Sequence, residues 1–231
     1  MNSIKKDARV AGFLYLLLVP LGFYGIVSPA IPAGPGEVAA TVNDIVSAGS
    51  MFRLSIVFAL LTPIVTLFVA LALYKVLQPV GKRIALLMVI FVMLATPIAM
   101  LNELNRFAAL LLASGPDYLT ALTTEQSQQL VPLFLELHQY GIAIVGIFWG
   151  LWLLPMGYLV FKSGYLPRII GILLMIACFG YLIDSFAKFL IPDAGISVAI
   201  FTFWGELFFL LYLLIRGVNV ERFQQRELEF V

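Results

Sequence analysis

The sequence predicts an all-α, polytopic membrane bundle of six transmembrane helices, with both termini on the cytoplasmic side. Three observations carry this. Hydrophobic residues make up 62% of the chain and charged residues 12%, against about half and about a quarter in a soluble domain. The apolar residues gather into six runs, each near the roughly 20 residues a helix needs to cross a bilayer. The Lys and Arg between the runs sort by side. A segment in lipid must satisfy its own backbone hydrogen bonds, so the runs are helices.

The first span covers residues 10–28, inside a charge-free run from Val10 to Gly36. Lys5, Lys6 and Arg9 ahead of it, with Ser28-Pro29-Ala30 behind, also fit a signal peptide. The length of the run and the presence of Tyr15, Gly22 and Tyr24 favour a retained helix. The second span covers 54–74 and the third 84–113, joined by the turn Gln78-Pro79-Val80-Gly81. The fourth, 137–161, and the fifth, 169–190, are joined by Ser163-Gly164-Tyr165-Leu166-Pro167. The sixth covers 195–215. Together they form a single transmembrane domain over residues 1–231.

Two longer connections face the other side. Pro29 to Ser50 opens with Pro29, Pro32, Gly34, Pro35 and Gly36, then gives a weak amphipathic stretch with Val38, Val42, Ile45 and Val46 on one side. Ser114 to Glu136 opens with a Gly-Pro-Asp turn. Thr123 or Thr124 then caps a helix with Leu130, Leu133, Phe134 and Leu137 on its apolar side. This helix either lies on the outer surface or forms a lid over an outward-opening cavity.

Orientation follows from the basic residues in short loops. Of the 14 Lys and Arg, 11 fall on one side: Lys5, Lys6, Arg9, Lys75, Lys82, Arg83, Lys162, Arg168, Arg216, Arg222 and Arg226. Arg53, Arg106 and Lys188 fall on the other. The first side is therefore cytoplasmic. Pro20, Pro63, Pro97 and Pro155 can each kink a span. Ala143, Gly146, Gly150 and Gly157 form a small-residue strip, so close packing is expected there, inside the bundle or between subunits through the Gly146/Gly150 face.

Polar residues inside the spans are the candidate functional set. A charge at the bilayer centre costs about 2.5–3.5 kcal/mol on insertion scales. Glu206, about midway along the sixth span, must be neutral, paired or facing water. The expected partners lie in the outer half: Arg53 first, then Arg106, within a set that includes Glu103, Glu136, His138, Asp184 and Lys188. Asp184 and Lys188 have the i,i+4 spacing of a helix ion pair. Four acids, three bases and one histidine make a nearly balanced network, which would fix helix packing without any ligand.

Three functional classes remain. One is binding or transport of a small polar or amphiphilic ligand at this cluster. The second is a non-catalytic accessory protein whose cluster only holds helices together. The third is an intramembrane enzyme. The last has least support, because the chain has one histidine, no HExxH spacing, no G-x-S-x-G and no phosphate loop. No catalytic residue, metal site or cofactor is expected. The net charge of +1 gives no reason for nucleic acid as a partner, and the single cysteine, Cys178, excludes an internal disulfide. The expected partners are the lipid bilayer and a small polar or lipid-like ligand.

Several short patterns also resemble a family. Arg9, Ala11, Gly12, Tyr15 and Leu16 form one, and Phe52-Arg53 and Leu71-Ala72-Leu73-Tyr74 are two more. A fourth runs from Gly157-Tyr158-Leu159 through Ser163-Gly164-Tyr165-Leu166-Pro167-Arg168 to Gly171. Together they are similar to the bacterial membrane proteins catalogued as domain of unknown function 4386. The resemblance spans nearly the whole chain. It implies a six-helix, multi-pass protein of the bacterial plasma or inner membrane, and no activity or catalytic residues.

Overall fold

The computed structural model describes residues 3–27, 38–115 and 122–230. These form helices and turns. The chain runs through α1 (Ser3–Gly22), a π-helical turn (Phe23–Val27), α2 (Val38–Leu77), α3 (Lys82–Ser114), α4 (Thr124–Gln129), α5 (Val131–Ser163), α6 (Arg168–Leu190), α7 (Ala199–Thr202), α8 (Trp204–Ile215) and α9 (Val220–Phe230). Five of these segments are long and apolar enough to cross a membrane. The α7–α8 segment makes a sixth when counted with α9, from which it bends by 101°.

The helices close into a ring. Each of α1, α2, α3, α5 and α6 packs on the next, α6 packs on α8, and α8 returns to α1. Glycines set the closest approaches. A Cβ on Gly12 would lie 2.7 Å from the backbone nitrogen of Leu214, so α1 and α8 meet backbone to backbone. Gly157 and Gly171 do the same for α5 and α6, where an added Cβ on either would sit 2.6 Å from the other's backbone or its neighbour's. Gly146 and Gly150 face Ser185 and Cys178 of α6 in the same way. Of the two uses the sequence left open for this strip, these contacts are the ones inside the bundle. Small residues are used here as lipid demands, since close van der Waals contact replaces the hydrophobic drive between helices.

Hydrogen bonds gather the basic residues at one end. Arg9 donates to the carbonyl of Ile215 at 3.3 Å, closing α1 onto the last turn of α8. The α5–α6 turn is held by Ser163 Oγ, which accepts from the Leu166 amide at 3.1 Å, and by Gly164 at φ 74°. Tyr165 is buried and its phenol donates to the Val76 carbonyl at 2.7 Å, tying that turn to the end of α2. Burial pushes its pKa up, so the phenol remains the donor. Phe223 of α9 stacks edge-on against Tyr165 at 5.2 Å. α9 lies beyond the last predicted span, and its buried Phe223 helps anchor it to the bundle.

The far end carries a second, smaller core. Val42 and Ile45 from the start of α2 pack with Phe52, Ile56, Leu110, Ala113 and Val131. At Gly49 the backbone leaves helical geometry (φ 10°, ψ −80°), so the amphipathic stretch and the span proper run in different directions. Val46, expected on the apolar side, is exposed. The Pro29–Gly36 segment and most of the Gly-Pro-Asp turn lie outside the described residues. α4 carries the expected cap: Thr123 Oγ1 accepts from the Gln126 amide at 3.2 Å, and Gln126 Oε1 accepts from the Thr123 amide at 2.9 Å. α5 begins at Val131, six residues before the predicted fourth span, because the capped helix continues into it with only a turn at Leu130.

Around the ring, Phe13, Val19, Phe68, Met93, Leu101, Phe179 and Phe201 are exposed, in keeping with a surface that meets lipid.

Candidate functional site

The ring leaves a cavity of about 370 Å3 at its centre. Its walls come from five helices: Tyr15, Leu18 and Gly22 of α1, Thr62 and Thr66 of α2, Trp149 and Trp152 of α5, Tyr181 of α6 and Glu206 of α8. Glu206 stands in the first turn of α8, just past the break at Phe203. It is not in the middle of an unbroken helix, as the sequence suggested.

Two phenols hold the Glu206 carboxylate. Tyr181 donates to Oε1 at 3.0 Å, and Tyr15 donates to Oε2 through a short hydrogen bond. α1 and α6 reach the same carboxylate because both pack on α8. The Tyr15 ring leans on Trp152, with centroids 5.9 Å apart and planes at 50°. Thr62 and Thr66 each donate at 2.8 Å to the carbonyl four residues earlier. Their hydroxyl protons are thereby used within α2, and their oxygens keep lone pairs free to accept.

The expected Arg53 partner is not there. Arg53 is exposed, and Arg106, the second candidate, is engaged elsewhere. Among the described residues no ion pair includes Glu206. Neutral donors satisfy the carboxylate instead.

Arg106 belongs to a separate buried group near the far end. It donates to Glu103 Oε2 at 3.1 Å, to the carbonyl of Gly25 at 3.0 Å and to Ser55 Oγ, and its guanidinium lies 4.9 Å from the centre of the Phe52 ring. The other Glu103 oxygen meets His138 Nε2 at 3.0 Å. Asn102 donates to the His138 carbonyl at 3.0 Å and accepts from Asn105 at 3.1 Å. Gly141 leaves room for that amide, since a Cβ there would fall 1.8 Å from Asn102 Oδ1. Glu103, Arg106 and His138 are 3%, 2% and 6% exposed, and each charge has a partner within the protein. This group joins the π-helical turn, α2, α3 and α5.

The remaining predicted residues separate again. Lys188 pairs with Glu136 at 2.8 Å and lies 4.9 Å from the centre of the Tyr140 ring. The Asp184–Lys188 pair expected from spacing does not form. Asp184 instead accepts from the amides of Val198 at 2.6 Å and Ala199 at 2.9 Å, capping α7. The single polar cluster expected from the sequence therefore divides into four: Glu206 with its phenols, Glu103–Arg106–His138, Glu136–Lys188, and Asp184 on its two amides, with Arg53 in none of them among the described residues. Among the described residues no three His, Cys, Asp or Glu converge as a metal site would require.

Sequence reasoning missed Tyr15, Tyr181, Thr62, Thr66, Trp149 and Trp152. It sought a cation for Glu206, whereas a carboxylate can be satisfied by phenols. Tyr15, already part of the family-like pattern, was the available signal.

A larger hollow of about 910 Å3 lies at the basic end between the start of α1, the α2–α3 turn and α9. Its charges are mixed: Asp7 and Glu227 face it with Lys75 and Lys82.

A protein of Archaeoglobus fulgidus described as uncharacterized is 31% identical over 169 residues, covering 71% of this chain and 83% of that protein. No solved structure matches the chain significantly. The family described as Domain of unknown function (DUF4386) matches residues 10–217, which include every residue lining the cavity. The chain belongs to that family.

Proposed function

We propose that this protein spans the cell membrane six times with both termini in the cytoplasm, and that it binds or moves a small ligand through the central cavity, with Glu206 as polar anchor. The observation that carries the reading is a half-buried carboxylate among apolar helices, beside a cavity and without a basic partner among the described residues. Intramembrane ionisable groups mark ligand or ion pathways by default. The cavity also has the usual composition of a small-molecule site, being mostly aromatic and apolar with a few convergent polar groups. It is separate from the Arg106 group, which the sequence placed with Glu206 in one ligand-binding cluster.

Thermal unfolding of the protein in lipid nanodiscs, screened against small cations, anions and neutral amphiphiles, tests this. A ligand at 100 times its Kd raises stability by about 2.7 kcal/mol. Thr66→Phe, which fills the cavity, should abolish that gain while the parent fold persists. A screen with no stabilising compound, or one whose hits stabilise the Thr66→Phe variant equally, overturns the reading. For orientation, single cysteines at Gln78 and Ser197 in a Cys178→Ala background should label from opposite sides of the membrane.

A second reading has its own support. The Glu103–Arg106–His138 group is buried and internally paired, and its role is to fix the packing of α2, α3 and α5.

A further inference from the structure

We infer that the ligand of the central cavity is a compact organic cation, a protonated amine or a quaternary ammonium. This rests on the reading of that cavity as a ligand site and names the chemistry it selects. Three observations on its lining converge.

The first is the imbalance of hydrogen-bonding groups. Both Tyr15 and Tyr181 spend their phenol protons on Glu206, and Thr62 and Thr66 spend theirs on backbone carbonyls. What these side chains still offer the cavity is acceptor lone pairs. Among the lining residues, the donors left are the indole N–H groups of Trp149 and Trp152. An anionic ligand would meet oxygen lone pairs and a carboxylate. A ligand with N–H groups, or with a positive methylated nitrogen, meets complementary charge.

The second is the carboxylate. Glu206 accepts from two neutral donors and from no basic side chain among the described residues. Inside hydrocarbon its charge is compensated by a proton or by a bound cation. A cationic ligand would complete an ion pair that the chain leaves half-built.

The third is the aromatic wall. Tyr15, Trp149, Trp152 and Tyr181 share one cavity with the carboxylate, and the tilted Tyr15 and Trp152 rings form a corner. Ring faces attract cations, and cages of such rings hold quaternary ammonium groups. Arg106 and Lys188, two of the basic residues in the sequence-derived set, are engaged with Glu103 and Glu136 and do not line it.

The test uses the full chain in nanodiscs and follows tryptophan fluorescence, since two of the three tryptophans line the cavity. The probes are choline and tetraethylammonium, with 3,3-dimethyl-1-butanol as the uncharged isostere of choline. The expected result is saturable binding of the cations, at least tenfold tighter than the isostere. E206Q should bring choline down to the level of the isostere. W152L should weaken choline more than the isostere, and it gives the same answer if E206Q fails to fold. Equal binding of choline and its isostere overturns the charge assignment and leaves the cavity as a site for a neutral ligand. Failure of both cations while another compound from the wider screen binds in a Thr66→Phe-sensitive way also overturns it alone. Absence of any binding overturns both this inference and the ligand-site reading.

Discussion

Replacing Arg106 by Met asks whether the buried group at the far end holds the helices together. The substitution keeps much of the apolar stem and removes the guanidinium. Glu103 then retains only His138, while the Gly25 carbonyl and Ser55 hydroxyl lose the donor between them. Breaking a buried ion pair from one side costs about 3–5 kcal/mol in soluble proteins. Polar contacts between membrane helices are weaker, averaging about 0.6 and reaching about 1.7 kcal/mol. Three contacts depend on this one side chain, so the membrane figures give a loss of about 2–5 kcal/mol. The assay is equilibrium unfolding in mixed micelles, in a cycle with Glu103→Leu. The double variant should lose less than the sum of the singles, with a coupling of about 0.5–3 kcal/mol, because it leaves no lone charge behind. The control is the Glu206→Gln and Arg53→Ala cycle, where the side chains do not touch and additivity within about 0.5 kcal/mol is expected. Additive losses for Glu103 and Arg106 would refute the network, and strong coupling between Glu206 and Arg53 would restore the pairing that the sequence suggested.

Three other outcomes follow from the geometry. Tyr181→Phe removes one of two donors to Glu206 and should lower stability by about 1–3 kcal/mol in the same unfolding assay. Gly12→Leu should cost at least about 3 kcal/mol or abolish folding, since the new side chain meets the backbone of α8 at Leu214 rather than a movable side chain; Gly22→Leu, with open space around it, is the control. Asp184→Ala removes the partner of two amides and should cost about 1–2 kcal/mol, with faster hydrogen exchange confined to Val198–Thr202.

The spans were legible because their signal is cumulative: twenty apolar residues outweigh any one exception. The turns were legible because glycine and proline mark them, and of the two threonines the sequence offered as a cap, Thr123 is the one that caps α4. Side-chain partners were not legible, because sequence spacing constrains only residues on one helix. Glu103 and Arg106, three apart on α3, do meet. Asp184 and Lys188, four apart on α6, do not, because backbone amides after the Ile191–Gly195 bend compete for the acid and Glu136 on α5 competes for the base. The Tyr15–Glu206 contact spans 191 positions and depends on ring closure of α1 onto α8, which hydrophobic periodicity does not encode. α9 escaped because it is polar apart from Phe223 and a few others, and its position depends on contacts with the Tyr165 turn, made by the Phe223 ring and by Arg222 donating to the Gly164 carbonyl.

Two carboxylates inside the bundle make the final contrast. Glu103 is closed off between Arg106 and His138, as a packing element should be. Glu206 is half-buried, lines a cavity and, among the described residues, is held by two phenols. Buried polar groups can often be replaced by apolar ones with no loss, or a gain, in stability when all partners are replaced together. The triple variant Glu206→Leu, Tyr15→Phe, Tyr181→Phe removes the acid and both donors at once and leaves none of the three unsatisfied. It should unfold at or above the parent's transition, while Glu206→Leu alone strands two phenols and falls below it by about 1–3 kcal/mol. Ligand stabilisation should vanish in both. A triple variant that is stable and still binds would move the ligand site away from Glu206. One that unfolds well below the parent would make the Tyr15–Glu206–Tyr181 contact a packing element, like the group around Arg106.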